Sequence, residues 1–184
     1  MTGSREARGS GPLPGSRARP GEGEGPRRPR GTARDRALRL LSVRDRSRRE
    51  LERRLLQIGF EAEEVTEALD RLQQAGLIDD ERFARAMVEH ETSNRLSGRR
   101  AVMSRLIASG VDRATAERSL EDAGGDAARA DELAARRATR LAELPPEVAH
   151  RRLISFLIRR GHSTGISEMA AARALGIQWS DPRP

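Results

Sequence analysis

The stretch Ser47-Arg48-Arg49-Glu50-Leu51-Glu52-Arg53-Arg54-Leu55-Leu56-Gln57-Ile58-Gly59 decides how the whole chain is read. Serine followed three residues later by glutamate has the form of a capping box: the hydroxyl accepts from a first-turn amide and the carboxylate reaches back to the serine amide. Leu51, Leu55 and Ile58 follow at helical spacing, Leu56 widens the stripe, and Gly59 can supply the left-handed residue that closes a helix. The same pattern returns twice at a constant offset of 51 residues. Leu51 maps to Val102 and Leu153, Leu55 to Leu106 and Leu157, Leu56 to Ile107 and Ile158, and Gly59 to Gly110 and Gly161. Such self-similarity signals a repeat architecture.

Working outward, Ala37, Leu38, Leu40 and Leu41 mark a shorter helix before this one. Val65, Ala68, Leu69 and Leu72 mark a third that ends at Gly76. In the second copy Asp79-Asp80 caps a helix through Phe83, Ala84, Met87 and Val88, and Ala116 and Leu120 match Val65 and Leu69. The third copy runs from Asp126 through Leu133 and Leu141 to Pro145-Pro146, and its last helix is weaker, with Ser167 and Ala171 as the matching positions. No stretch alternates with the period of a strand. The pattern predicts an all-α fold, an elongated array of three tandem three-helix repeats with about nine helices. The expected division is 32–78, 79–125 and 126–176, followed by a tail over 177–184. A unit this small cannot hide its own apolar face, so neighbours are expected to stack.

Residues 1–31 carry seven Arg, three Glu, eight Gly and five Pro, with Leu13 the sole large aliphatic after Met1. Too little apolar area is available there to offset the entropy of ordering, so a disordered arm is predicted. Across all 184 residues the net charge is +7, the 35 basic residues are all arginine, and cysteine and tyrosine are absent. Absent cysteine removes disulfides, thiolate metal sites and thiol nucleophiles; absent lysine removes the phosphate-loop lysine and the Schiff-base amine. Aromatics make up 2% of the chain, which argues against base stacking as its main chemistry. No apolar run approaches the ~20 residues of a membrane span, and a cytoplasmic protein without membrane contact is expected.

Catalysis needs convergent groups, and the pattern offers none. His90, His150 and His162 have no metal-ligand spacing, and His162 occupies the copy position of Phe60 and Val111, where a partly buried packing role is expected. No catalytic residue, cofactor or metal is expected. Residues 34–54 carry a net +5 and residues 61–82 a net −6, so the first two helices of the first copy should be basic and the third acidic, or the two should neutralise each other. Arg49, Arg100 and Arg151 share one repeat position, and Arg48 and Arg99 share the position before it, where the third copy has His150. A row of arginines along an array suits a periodic acidic partner, either a phosphate backbone or a protein filament. A generally arginine-rich surface would produce the same row.

The run Ser47 to Phe60, then Val65 to Leu72, then Gly76-Leu-Ile-Asp-Asp-Glu-Arg-Phe-Ala84, resembles the opening repeat of the RecX family of RecA regulators. Ser97-Gly98-Arg99-Arg100 through Leu106, Gly110 and Val111 resembles the next repeat, and Phe156-Leu-Ile-Arg-Arg-Gly161 the last. The resemblance covers about residues 34–175. It implies a nine-helix modular protein that binds in the groove of the RecA nucleoprotein filament, bridges protomers, and inhibits ATP hydrolysis and strand exchange without catalysis of its own. DNA contact, direct or through the filament, and a monomeric state accompany that expectation. The residues assigned to partner or phosphate binding, Arg48, Arg49, Arg99, Arg100, Arg151 and Arg152, come from repeat position alone. Two alternatives stand beside it. One is a helical DNA-binding protein acting through arginine–phosphate contacts without a recombinase; the other is a scaffold for helical proteins.

Overall fold

The structure, a computed structural model, describes residues 30–177; the expected arm and tail lie, but for their innermost residues, outside them. The described residues form nine α-helices and no strand. They are α1 (Ala33–Leu41), α2 (Arg48–Ile58), α3 (Ala62–Gln74), α4 (Asp80–Glu89), α5 (Arg99–Ala108), α6 (Arg113–Glu121), α7 (Asp126–Ala138), α8 (Pro146–Arg159) and α9 (Thr164–Leu175). A π-helical turn, His90–Asn94, prolongs α4, and a 3-10 turn, Thr139–Leu141, prolongs α7.

The helix starts follow the local chemistry. Thr32, Ser47, Asp79, Asp112 and Ser163 each accept a first-turn amide proton, and Pro146 opens α8, where its missing N–H costs nothing. The capping box at Ser47 is only half formed. Ser47 Oγ accepts from the Glu50 amide at 3.1 Å, but the Glu50 carboxylate is drawn to Arg44 (2.6 Å), Arg46 and Arg54 (3.1 Å), because three guanidiniums outcompete one neutral amide. Burial pushes the Glu50 carboxyl up, but the charges of Arg44 and Arg46 and their hydrogen bonds outweigh it and hold it below the ordinary value.

Each middle helix ends alike. Gly59, Gly110 and Gly161 have φ of 101°, 92° and 93°, and the amides of Phe60, Val111 and His162 bond back to the carbonyls of Leu55, Leu106 and Leu157 at 3.3, 3.1 and 3.2 Å. This is the Schellman closure, three times over.

Three cores result. One gathers Ala37, Leu51, Leu55, Val65, Leu69 and Leu72; the second Phe83, Val102, Leu106, Ala116 and Leu120; the third Ala134, Leu153, Leu157, Ala170 and Ala171. Repeat positions 51/102/153 and 55/106/157 have zero exposure in all three units. The third core leans on alanine where the first uses leucine and valine, which is why the pattern of α9 is faint in the sequence. Leu56, Ile107 and Ile158 depart from expectation. They do not widen the buried stripe but stand 43%, 45% and 38% exposed, and Ile58 is also exposed at 36%. At 100° per residue Leu56 sits one step round from Leu55, past the edge that α1 and α3 cover.

The units meet through one recurring junction. The Ser47 hydroxyl donates to the Ser109 carbonyl, Arg49 lies against Gly110, and the Arg48 amide donates to Asp80 Oδ1 at 2.8 Å. One unit on, the Gly98 amide donates to the Arg160 carbonyl at 2.9 Å and the Arg100 amide to the Gly161 carbonyl at 3.1 Å, while the Arg99 amide faces Asp126 Oδ1 at 3.3 Å. So the start of one unit's middle helix docks on the glycine turn ending the next unit's middle helix and on the aspartate that begins that unit's first helix. The second unit uses opposite ends of α5 for its two junctions, about 15 Å apart for a ten-residue helix. That separation lays the three units out in a line.

His162 belongs to the second junction. It is fully buried, with Nδ1 3.0 Å from Asp126 Oδ1 and Nε2 3.1 Å from the Leu96 carbonyl, so it holds a polar contact at each ring nitrogen rather than packing as a partly buried apolar substitute. Leu96, at φ 49°, is turned into the left-handed region that presents this carbonyl. Asp80 and Asp126 fill the same structural place with opposite electrostatics. Burial, with Asp112 and Asp79 nearby, raises Asp80 despite the Arg48 amide. Burial also pushes Asp126 up, but the His162 hydrogen bond and charge and the charge of Arg129 bring it below its ordinary value.

Candidate partner-binding face

The helices that form the junctions, α2, α5 and α8, also present the candidate residues. On α2, Arg49, Arg53 and Leu56 follow one another at i, i+4 and i+7, opposite buried Leu51 and Leu55, so they share the outer face. Arg100 and Ile107 on α5, and Arg151 and Ile158 on α8, repeat the first and last of these positions, and all are exposed. Each unit therefore shows solvent an arginine followed two turns later by an aliphatic side chain. Between α2 and α5 this face sinks into a groove of about 790 Å3, lined by Arg49, Arg53, Leu56, Ile107, Ala108 and Gly110 among others. Leu56 and Ile107 thus belong to one surface that crosses a junction.

The six candidate arginines do not behave alike. Arg48 is tied within its own unit, to Asp70 at 2.7 Å and Gln73 at 3.0 Å, and Arg99 donates to the Leu120 carbonyl at 3.2 Å. Both brace the middle helix against the end of the third. The Arg48–Asp70 pair also links the basic segment of the first unit to its acidic one. The guanidiniums of Arg49, Arg100, Arg151 and Arg152 make no ion pair or hydrogen bond among the described residues. Arg49 keeps its aliphatic stem over Gly110, where a β-carbon would come within 2.6 Å of the stem. It serves the junction with its stem and leaves its charge to solvent.

The aliphatic half of the face escaped the reading of the sequence. Its signal was present: an apolar residue in all three copies, directly beside a stripe that was already complete. Among the described residues no group of three or more His, Cys, Asp or Glu could hold a metal, and no helix is long and apolar enough to cross a membrane. Each unit thus exposes one guanidinium and one aliphatic side chain on its middle helix.

Comparison with known proteins gives a consistent result. The family model for the first three-helix domain of RecX matches residues 33–72. The regulatory protein RecX of Mycobacterium ulcerans is 38% identical over 151 residues, covering 77% of this chain and 87% of the relative. That of Streptomyces coelicolor is 33% identical over 168 residues, covering 90% and 89%. The crystal structure of RecX from Lactobacillus salivarius superposes with a TM-score of 0.70 over 79% of this chain and 96% of that one, at 22% identity, which demonstrates a shared fold.

Proposed function

The chain belongs to the RecX family of regulatory proteins, and from that premise we propose that it regulates the RecA recombinase by binding the RecA nucleoprotein filament. In this reading the protein is a monomeric cytoplasmic regulator without catalysis of its own. It lowers the filament's ATP hydrolysis, strand exchange and coprotease activity, and so acts in recombination, DNA repair and the SOS response. The observation that supports the reading is the threefold pairing of Arg49, Arg100 and Arg151 with Leu56, Ile107 and Ile158 along one line of units. A filament of identical subunits presents the same surface at regular intervals, and a line of identical docking elements is what such a surface can engage repeatedly. Guanidinium forks pair with carboxylates or phosphates in a defined geometry, and each aliphatic side chain gains by leaving water. Once one unit docks, the next binds at high effective concentration, so modest contacts add to a firm hold. An array spanning adjacent subunits keeps them in one relative arrangement and slows any step that needs them to move.

The test is co-sedimentation with recombinase filaments, with and without single-stranded DNA and nucleotide. The protein is expected to pellet with assembled filaments and to stay in the supernatant with unassembled recombinase. Equal recovery in the supernatant under all conditions would refute the reading.

A further inference from the structure

The third unit carries a basic basin that the repeat does not explain. Arg151, Arg152, Ser155, Phe156 and Arg159 of α8, with Arg137 and Leu141 from the preceding segment, line a hollow of about 480 Å3 that contains no carboxylate. Arg137 stacks on the Phe156 ring at 5.2 Å from its centre. Among the described residues none of these four guanidiniums is paired with an acidic side chain, whereas Arg44, Arg48, Arg105 and Arg113 are held by Glu50, Asp70, Glu91 and Glu117. Two of the four stand at positions where the other units have no positive charge: Arg152 corresponds to Glu50 and Ala101, and Arg159 to Gln57 and Ala108. Phe156 replaces Arg54 and Arg105, the arginines that bind the buried glutamates of the first two units. The third unit has thus exchanged an internally neutralised cluster for one that faces outward unneutralised. Four like charges gathered round one hollow repel each other unless an anion joins them.

We propose that this basin binds the phosphodiester backbone of single-stranded nucleic acid. Guanidinium forks match phosphate oxygens bidentately, Ser155 supplies a neutral donor, and the Arg137–Phe156 stack offers a flat, partly apolar surface to an unstacked base. A single strand can lay an open base face on this stack, whereas the bases of a duplex are already paired and stacked. The site goes beyond recombinase regulation and is separate from the Arg49–Arg100–Arg151 row except at Arg151.

The test uses the full chain alone, without recombinase, and a fluorescein-labelled oligothymidylate read by anisotropy across a salt series. The compared proteins are wild type, Arg152→Glu with Arg159→Glu, and, as a control of equal charge change, Arg85→Glu with Arg113→Glu. The arginine-rich residues 1–31 are present in all three, so only differences report on the basin. The basin variant is expected to bind at least tenfold more weakly and to lose about one unit or more of the slope of log affinity against log salt, while the control stays within about threefold. Arg137→Ala, which removes the stack with a single charge, should also weaken binding. Circular dichroism melts establish that each variant is folded. Equal loss in basin and control variants, no binding by wild type at low salt, or displacement by polyglutamate as effective as by unlabelled oligothymidylate would each overturn the proposal. Because no recombinase is present, failure here leaves the regulatory reading standing, and failure of filament binding leaves this one standing.

Discussion

Asp80 and Asp126 do the same job, accepting the first amide of the preceding unit's middle helix, yet their surroundings differ by one residue that matters most. At the copy position where the first junction has Val111, the second has His162. Asp126 gains a buried hydrogen-bonded partner and Asp80 gains none, which is why burial dominates Asp80 and raises it while Asp126 is lowered. For Asp126 the folded value lies below the unfolded one near 3.8, so its contribution to stability is fully present above that pH and is lost as pH falls through the depressed folded value. Asp126→Asn is therefore expected to cost about 1–3 kcal/mol at neutral pH, and the gap to wild type should narrow as melts are taken from pH 6 down to pH 3. Asp80 has the opposite sign: its ionised form is disfavoured in the fold, so this term weakens stability as pH rises through its raised value. Asp80→Asn keeps an oxygen for the Arg48 amide and removes the buried charge, so its melting temperature should equal or exceed that of wild type. A fall as large as that of Asp126→Asn would show that the two junctions are electrostatically alike. Neither carboxylate's role was legible in the sequence beyond helix capping, because their partners lie 27 to 36 residues away.

The middle helices divide cleanly into a face that holds the fold and a face that does not. Leu55→Ala, Leu106→Ala or Leu157→Ala should each cost about 2–5 kcal/mol by removing fully buried volume. Serine at Leu56, Ile107 or Ile158 should leave thermal stability within about 0.5 kcal/mol, and combined should weaken inhibition of the recombinase. If the serine variants unfold as readily as the alanine ones, the exposed row is a structural edge and not a docking surface. At the junctions, a β-carbon on Gly98 would sit 2.2 Å from the Gly161 backbone, a contact neither segment can relieve by turning a side chain. Gly98→Ala should therefore lower the melting temperature by several degrees more than Ser47→Ala, whose loss is a cap and one junction bond. Helix type, the threefold repeat and the closing glycines were legible because each is local: a stripe, a capping side chain, a left-handed turn. The second half of the capping box was not, because Arg44 and Arg46 compete for Glu50 from the preceding loop. Exposure at Leu56 was not legible either, since its position at the stripe's edge is settled by what α1 and α3 cover.

Across the whole molecule, three units joined by two similar junctions carry the same exposed arginine and aliphatic side chain on each middle helix, and the proposed regulation rests on these acting as a set. Singly, Arg49, Arg100 and Arg151 should matter modestly; together they should matter more than the sum of the parts, because each contact raises the effective concentration of the next. Arg48 and Arg99 should be inert in binding and felt in stability, since their guanidiniums are occupied by the third helices. The sequence placed all six candidates on the middle helices, Arg152 beside the repeated positions, but only the structure separates those that brace a unit from those whose charge is left to solvent. The most direct measurement is recombinase ATP hydrolysis on single-stranded DNA, titrated with wild type, with each of Arg49→Glu, Arg100→Glu and Arg151→Glu, and with the triple variant. A parallel Arg49→Met protein retains the stem over Gly110, which separates loss of charge from damage to the junction. Each variant must first melt like wild type. The expected result is a shift of a few-fold in the inhibitory concentration for each single variant and loss of inhibition over the accessible range for the folded triple. A folded triple variant that inhibits as well as wild type would contradict the claim that this row engages the filament.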